Sequence, residues 1–85
     1  MNAKFLYEVF EQTEKNHFPD LFLGLAAAQV EHPIPHEKDK AVREFIGRHY
    51  DALVKAYAGH DYETFAKAVE ACAQKDADEA EEAQE

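Results

Sequence analysis

The sequence predicts an all-α protein: a small four-helix bundle built of two helical hairpins, followed by a disordered acidic tail. Apolar residues recur three and four positions apart along most of the chain, which is the spacing of a half-buried helix. Prolines and turn residues interrupt this spacing, and the last ten residues carry six acids and no base. We therefore expect one domain over residues 1–75, with helices at about 3–15, 19–31, 35–58 and 62–75, and a disordered tail over 76–85.

The first predicted helix begins after Asn2, a residue type that caps helix N-termini well. Glu11 and Lys15 stand four residues apart on its polar side, in the order that favours an ion pair within a helix. Asn16 indicates the end of this helix, because asparagine tolerates left-handed backbone. Its apolar stripe consists of Phe5, Leu6, Val9, Phe10 and Thr13.

The second predicted helix is apolar on all sides, since Gln29 is its only polar residue between Leu21 and Val30. Such a helix must be covered on all sides, and a four-helix protein has little material to cover it. We therefore expect it to be the central helix or to meet a second copy of the chain, and we favour the second in part. Gly24 and Ala28 form a slim flank that permits close approach. The predicted interaction surface consists of Leu21, Phe22, Gly24, Leu25 and Ala28.

The second predicted hairpin follows the stiff segment 31–35, in which two prolines disfavour helix at the residues before them. Gly47 lies in the middle of the long helix at a cost of about 1 kcal/mol relative to alanine, which suggests that another backbone comes close. Gly59-His60-Asp61 forms the turn, and Asp61 caps the return helix. The buried stripe of the long helix consists of Val42, Phe45, Ile46, His49, Tyr50, Leu53, Val54 and Tyr57.

Five residues of this second hairpin follow a pattern of aromatic, leucine and alanine positions: Tyr50, Leu53, Tyr57, Ala66 and Ala73. At these positions the hairpin resembles a tetratricopeptide helical hairpin. Membership of that family would imply peptide or protein binding in a groove. The first half of the chain does not repeat the pattern, and such arrays need about three repeats for stability. We therefore interpret the pattern as two antiparallel helices that pack through small residues.

The charge distribution bears on the class of partner. The net charge is −9, but residues 1–75 contribute only −3 of it and the last ten residues contribute −6. Nucleic-acid binding requires a basic face, so we expect no nucleic-acid partner. An acidic decoy that mimics nucleic acid would need carboxylates held on a rigid surface, and we keep it as a second alternative.

The single cysteine, Cys72, excludes a disulfide within the chain and is typical of a reducing compartment. The apolar run 21–28 resembles the core of a signal peptide, but the segment before it is long and contains four acids. The run is also too short to span a bilayer. We expect a cytoplasmic protein without a membrane partner.

No set of residues has the spacing of a known reaction, so we expect no enzyme and no cofactor. Five histidines nevertheless suggest an alternative function, a metal- or small-ligand-binding protein. The candidate ligands are His32, His36, His49 and His60. Cys72 lies near the end of a helix on its apolar stripe, which favours packing over catalysis. The sequence thus predicts a small non-enzymatic adaptor, regulator or inhibitor that acts by protein–protein interaction and forms a homodimer through the helix at 19–31.

Overall fold

A computed structural model describes residues 2–83 of the chain, with side chains through residue 80. These residues form five α-helices and no strand, so the all-α class is confirmed. The helices are α1 (Ala3–Lys15), α2 (Leu21–Glu31), α3 (His36–Arg48), α4 (Tyr50–Tyr57) and α5 (Tyr62–Ala83). None of the helices within 2–83 combines the length and the apolar composition needed to cross a membrane.

Short polar side chains cap the first two helices: the cap at Asn2 was predicted, whereas Asp20 was expected to lie inside the helix at 19–31. The side chain of Asn2 accepts hydrogen bonds from the backbone N–H groups of Lys4 and Phe5, at 3.0 and 3.3 Å. Asp20 accepts one from the N–H of Leu23 at 3.0 Å, so α2 begins two residues later than predicted. These contacts satisfy N–H groups that have no partner inside the helix.

The predicted long helix at 35–58 is wrong, because the chain breaks at His49 into α3 and α4. His49 leaves helical geometry, with φ −117° and ψ 24°. Its ring packs on Phe45, with ring centroids 4.9 Å apart, and pairs with Asp76 of α5 at 2.8 Å. The break is invisible in the apolar spacing because Leu53 and Tyr57 of α4 join the same core as the buried residues of α3. The predicted burial of Tyr50 and Val54 is wrong, since both side chains are exposed.

The predicted end of the last helix at Lys75 is also wrong, since α5 continues to Ala83. Residues 76–83 are rich in alanine and glutamate, which are strong helix formers. Asp76 adds tertiary contacts, because it accepts a hydrogen bond from Arg48 at 3.0 Å and pairs with His49. The expected disordered tail is therefore helical through residue 83, and residues 84 and 85 lie outside the described part.

The core is arranged around α1, which packs against α2 and α5, while α4 packs against α5 and α3 against α4. Five helices thus replace the predicted four-helix bundle. Within the described residues no polar or charged side chain is fully buried. The core residues are Phe5, Leu6, Val9, Phe10, Leu21, Leu25, Ala28, Val42, Phe45, Ile46, Leu53, Tyr57, Phe65 and Val69.

Candidate functional site

Helix α2 carries two apolar faces, and only one of them is covered. Leu21, Gly24, Leu25 and Ala28 form the inner face and are buried. The outer face points away from them, because residues on an α-helix advance by about 100° each. It consists of Phe22, Leu23, Ala26 and Val30.

The outer face exposes large side chains to an unusual degree. Phe22 and Leu23 are each 44% exposed, and Val30 is 82% exposed. Single exposed apolar residues are normal on a protein surface, but a contiguous set on one helix face is typical of an interaction site. This outer face of α2 is the candidate functional site.

The slim flank predicted to meet a second copy instead meets α1 within the same chain. A Cβ atom at Gly24 would lie 2.5 Å from the carbonyl oxygen of Val9 and would overlap the hydroxyl of Thr13. That hydroxyl donates a hydrogen bond to the same carbonyl at 2.8 Å. Gly24 therefore allows α1 and α2 to approach closely. The close approach expected at Gly47 is wrong, because nothing lies within 4 Å of a Cβ at that position.

The predicted interaction surface is accordingly divided by the structure. Of its five residues, only Phe22 is exposed, and the other four belong to the core. The prediction missed Leu23 and Val30. The helical period places both on the side of α2 away from Leu21, Leu25 and Ala28, but it does not say which side α1 covers.

A polar edge borders the outer face on the side of α3. The guanidinium of Arg43 lies 5.6 Å from the ring centroid of Phe22. Arg43 pairs with Asp39 at 2.9 Å, and the amide of Gln29 donates to Asp39 at 2.6 Å. The hydrogen bonds from Arg43 and then Gln29 lower the pKa of Asp39, because both stabilise its carboxylate form. An apolar centre with a polar rim is the usual anatomy of a protein interface.

The four candidate histidines do not converge. His49 pairs with Asp76, and His60 pairs with Glu14 at 3.0 Å on another face of the molecule. His32 and His36 are exposed around the proline segment. Across the described part of the chain, no three or more His, Cys, Asp or Glu side chains are grouped closely enough to hold a metal ion.

Cys72 is half-buried beside the core. Burial, and then the negative charge of Asp76, raises the pKa of its thiol. A nucleophilic cysteine needs the opposite, because the thiolate is the reactive form. The side chain thus fits the packing role predicted for it.

Comparisons of this chain with protein-family models, with curated proteins and with solved structures found no match.

Proposed function

We propose that this chain is a non-enzymatic protein that acts by protein–protein interaction and associates with a second copy of itself through the outer face of α2. The observation that carries the proposal is the exposure of Phe22, Leu23 and Val30 on one side of a helix whose other side is already buried. Burying such a side chain completely contributes about 1.5–3 kcal/mol. A twofold interface uses each of these side chains twice.

The order of residues along the face suits an antiparallel pair of α2 helices. The large side chains Phe22 and Leu23 lie at one end and Val30 at the other, with the small Ala26 between them. Across a twofold axis at Ala26, Phe22 of one copy would meet Val30 of the other, and the two Ala26 residues would face each other at the centre. The small central residue permits the close approach that such packing requires.

The size and charge of the chain limit the strength of this association. Helix α2 has 11 residues, so its face is about 16 Å long. A face of this length is small compared with stable interfaces, which bury roughly 800 Å² on each partner. The net charge of −9 makes the two copies repel each other. We therefore expect a weak homodimer that salt strengthens, because salt screens the repulsion and leaves the apolar contact intact.

Sedimentation equilibrium over a range of concentrations tests the proposal. The wild-type chain should shift from monomer to dimer in the micromolar range, and Leu23→Glu should remain monomeric. Tyr50→Glu is the matched control, because Tyr50 is an exposed aromatic residue, 50% exposed, on α4, which packs mainly against α5 and α3. Its dimerisation should equal that of the wild type.

Two outcomes would contradict the proposal. A strictly monomeric wild type at high micromolar concentration removes the homodimer. Equal loss of association in Leu23→Glu and Tyr50→Glu removes α2 as the interface. Substitutions at Leu25 or Ala28 are unsuitable for this test, because both residues are fully buried and their replacement would unfold the domain.

A further inference from the structure

A concave surface lies between the start of α1, the segment 32–34 and α3, and none of its lining residues belongs to α2. This groove has a volume of about 740 Å³, within the range of roughly 300–1,000 Å³ that small-molecule sites occupy. It exists because the prolines at 33 and 35 hold the connecting chain extended, while α3 packs mainly against α4. The N-terminal half of α3 is thereby kept apart from α1.

The floor of the groove is apolar. Phe5 and Val42 reach it from α1 and α3 with their side chains almost fully buried, at 8% and 5% exposure. Ile34 is half-buried and lies between them along the connecting segment, next to Pro33. Most of the accessible apolar surface comes from Pro33, Ile34 and Ala41, which together offer a strip that can cover an alkyl chain.

The rim of the groove is basic, in contrast to the acidic chain as a whole. Lys4 and Lys38 line it from α1 and α3, and His32 lies at its edge. Neither lysine forms an ion pair with any side chain of residues 2–80. Glu8 is the one acid among the lining residues, and it already accepts a hydrogen bond from Gln12 at 2.9 Å.

The start of α1 adds to this positive character. Asn2 and Lys4, at the first turn of α1, line the groove, and that turn contains no acid. The N-terminus of a helix carries a partial positive charge, which favours an anion nearby. An anionic group at the rim would thus meet two unpaired ammonium groups and a helix N-terminus, while an apolar tail would meet Phe5, Ile34 and Val42.

We propose that this groove binds a small amphipathic anion, a medium-chain alkyl carboxylate, with the carboxylate between Lys4 and Lys38 and the chain on the apolar floor. The site is separate from the outer face of α2. Binding at the groove and dimerisation through α2 therefore succeed or fail independently.

The test is a titration of the full-length ¹⁵N-labelled chain with sodium decanoate below its micelle concentration, followed by NMR. Amide shifts should concentrate at Phe5, Ile34 and Val42. The variant Lys4→Glu/Lys38→Glu should bind about tenfold or more weakly, since it removes charge-assisted contacts and adds repulsion. Lys55→Glu/Lys67→Glu is the control, because it makes the same change in charge at exposed positions of α4 and α5 and should bind like the wild type.

Decyltrimethylammonium, which has the same chain and the opposite charge, serves as the second probe and should leave the groove residues unshifted. Equal binding of the two probes would overturn the proposal, as would shifts confined to the outer face of α2. Equal weakening by the two double variants would overturn it as well, because the effect would then come from net charge alone.

Discussion

Replacing Gly24 with alanine tests the close packing of α1 on α2. The added methyl group would lie 2.5 Å from the carbonyl oxygen of Val9 and would overlap the hydroxyl of Thr13. The hydroxyl can rotate away, but it then loses its hydrogen bond to that carbonyl. The backbone oxygen of Val9 cannot rotate away, so the two helices must move apart.

The magnitude follows from two opposing effects. Alanine is favoured over glycine in a helix by about 1 kcal/mol. Overpacking in a well-packed core costs about 1–3 kcal/mol, and the upper end applies here because the clash involves backbone. We expect a net loss of about 2 kcal/mol in the free energy of unfolding. For a domain of this size that loss lowers Tm by roughly 8–16 °C.

Thermal and urea denaturation followed by circular dichroism at 222 nm measures this loss. Gly47→Ala is the matched control, because it is also a helical glycine and a Cβ there has open space around it. It should stabilise the chain by about 0.5 kcal/mol, less than the full helix preference since Gly47 lies near the end of α3. If Gly24→Ala stabilises the chain as Gly47→Ala does, the close approach of α1 to α2 is refuted. Thr13→Ala in the Gly24→Ala background should restore part of the loss, which a double-mutant cycle would show.

Three further predictions concern single side chains. The hydrogen bond to Glu14 raises the pKa of His60 above its ordinary 6.5, so the pair stabilises the fold fully below pH 6.5 and loses this effect as pH rises through the raised pKa. The free energy of unfolding should fall over that window in the wild type and not in His60→Gln; identical pH profiles would contradict the pair. Asp76→Ala should accelerate amide hydrogen exchange in the last turns of α5 by about threefold, as expected for a partly exposed ion pair. Asp78→Ala removes the same charge at an exposed position of α5 and should not accelerate this exchange. Equal acceleration in the two variants would argue against the contact of Asp76 with Arg48 and His49. Burial and then the charge of Asp76 raise the pKa of the Cys72 thiol, so iodoacetamide should alkylate it more slowly than free cysteine at pH 8. Labelling at the rate of free cysteine would show that the side chain is not packed.

The candidate site was predictable in its helix but not in its face. An unbroken apolar run from Leu21 to Leu25 and beyond indicated that α2 has more apolar surface than one neighbour can cover. Which side α1 would take depends on a contact between Gly24 and Thr13, which lie on different helices. Helical periodicity alone treats the glycine side and the Val30 side as equal candidates.

The groove beside Lys4 and Lys38 had no counterpart in the sequence-based predictions. Its lining comes from two helices and the segment between α2 and α3, and its basic rim is hidden in a chain with a net charge of −9. The proline segment holds α1 and α3 apart, and these residues come together only as the lining of the gap between the two helices.

The sequence by itself determined the local features of this protein: the helical class, the cap at Asn2 and the turn at 59–61. These depend on residues within a few positions of one another, and each residue type has its own preference there. The break at His49, the continuation of α5 and the exposed face of α2 were decided by tertiary contacts. The break between α3 and α4 and the continuation of α5 are linked by one contact, because Asp76 of α5 pairs with His49, 27 residues away along the chain. Apolar spacing records which residues avoid water, and it contains no information on which distant partner covers them.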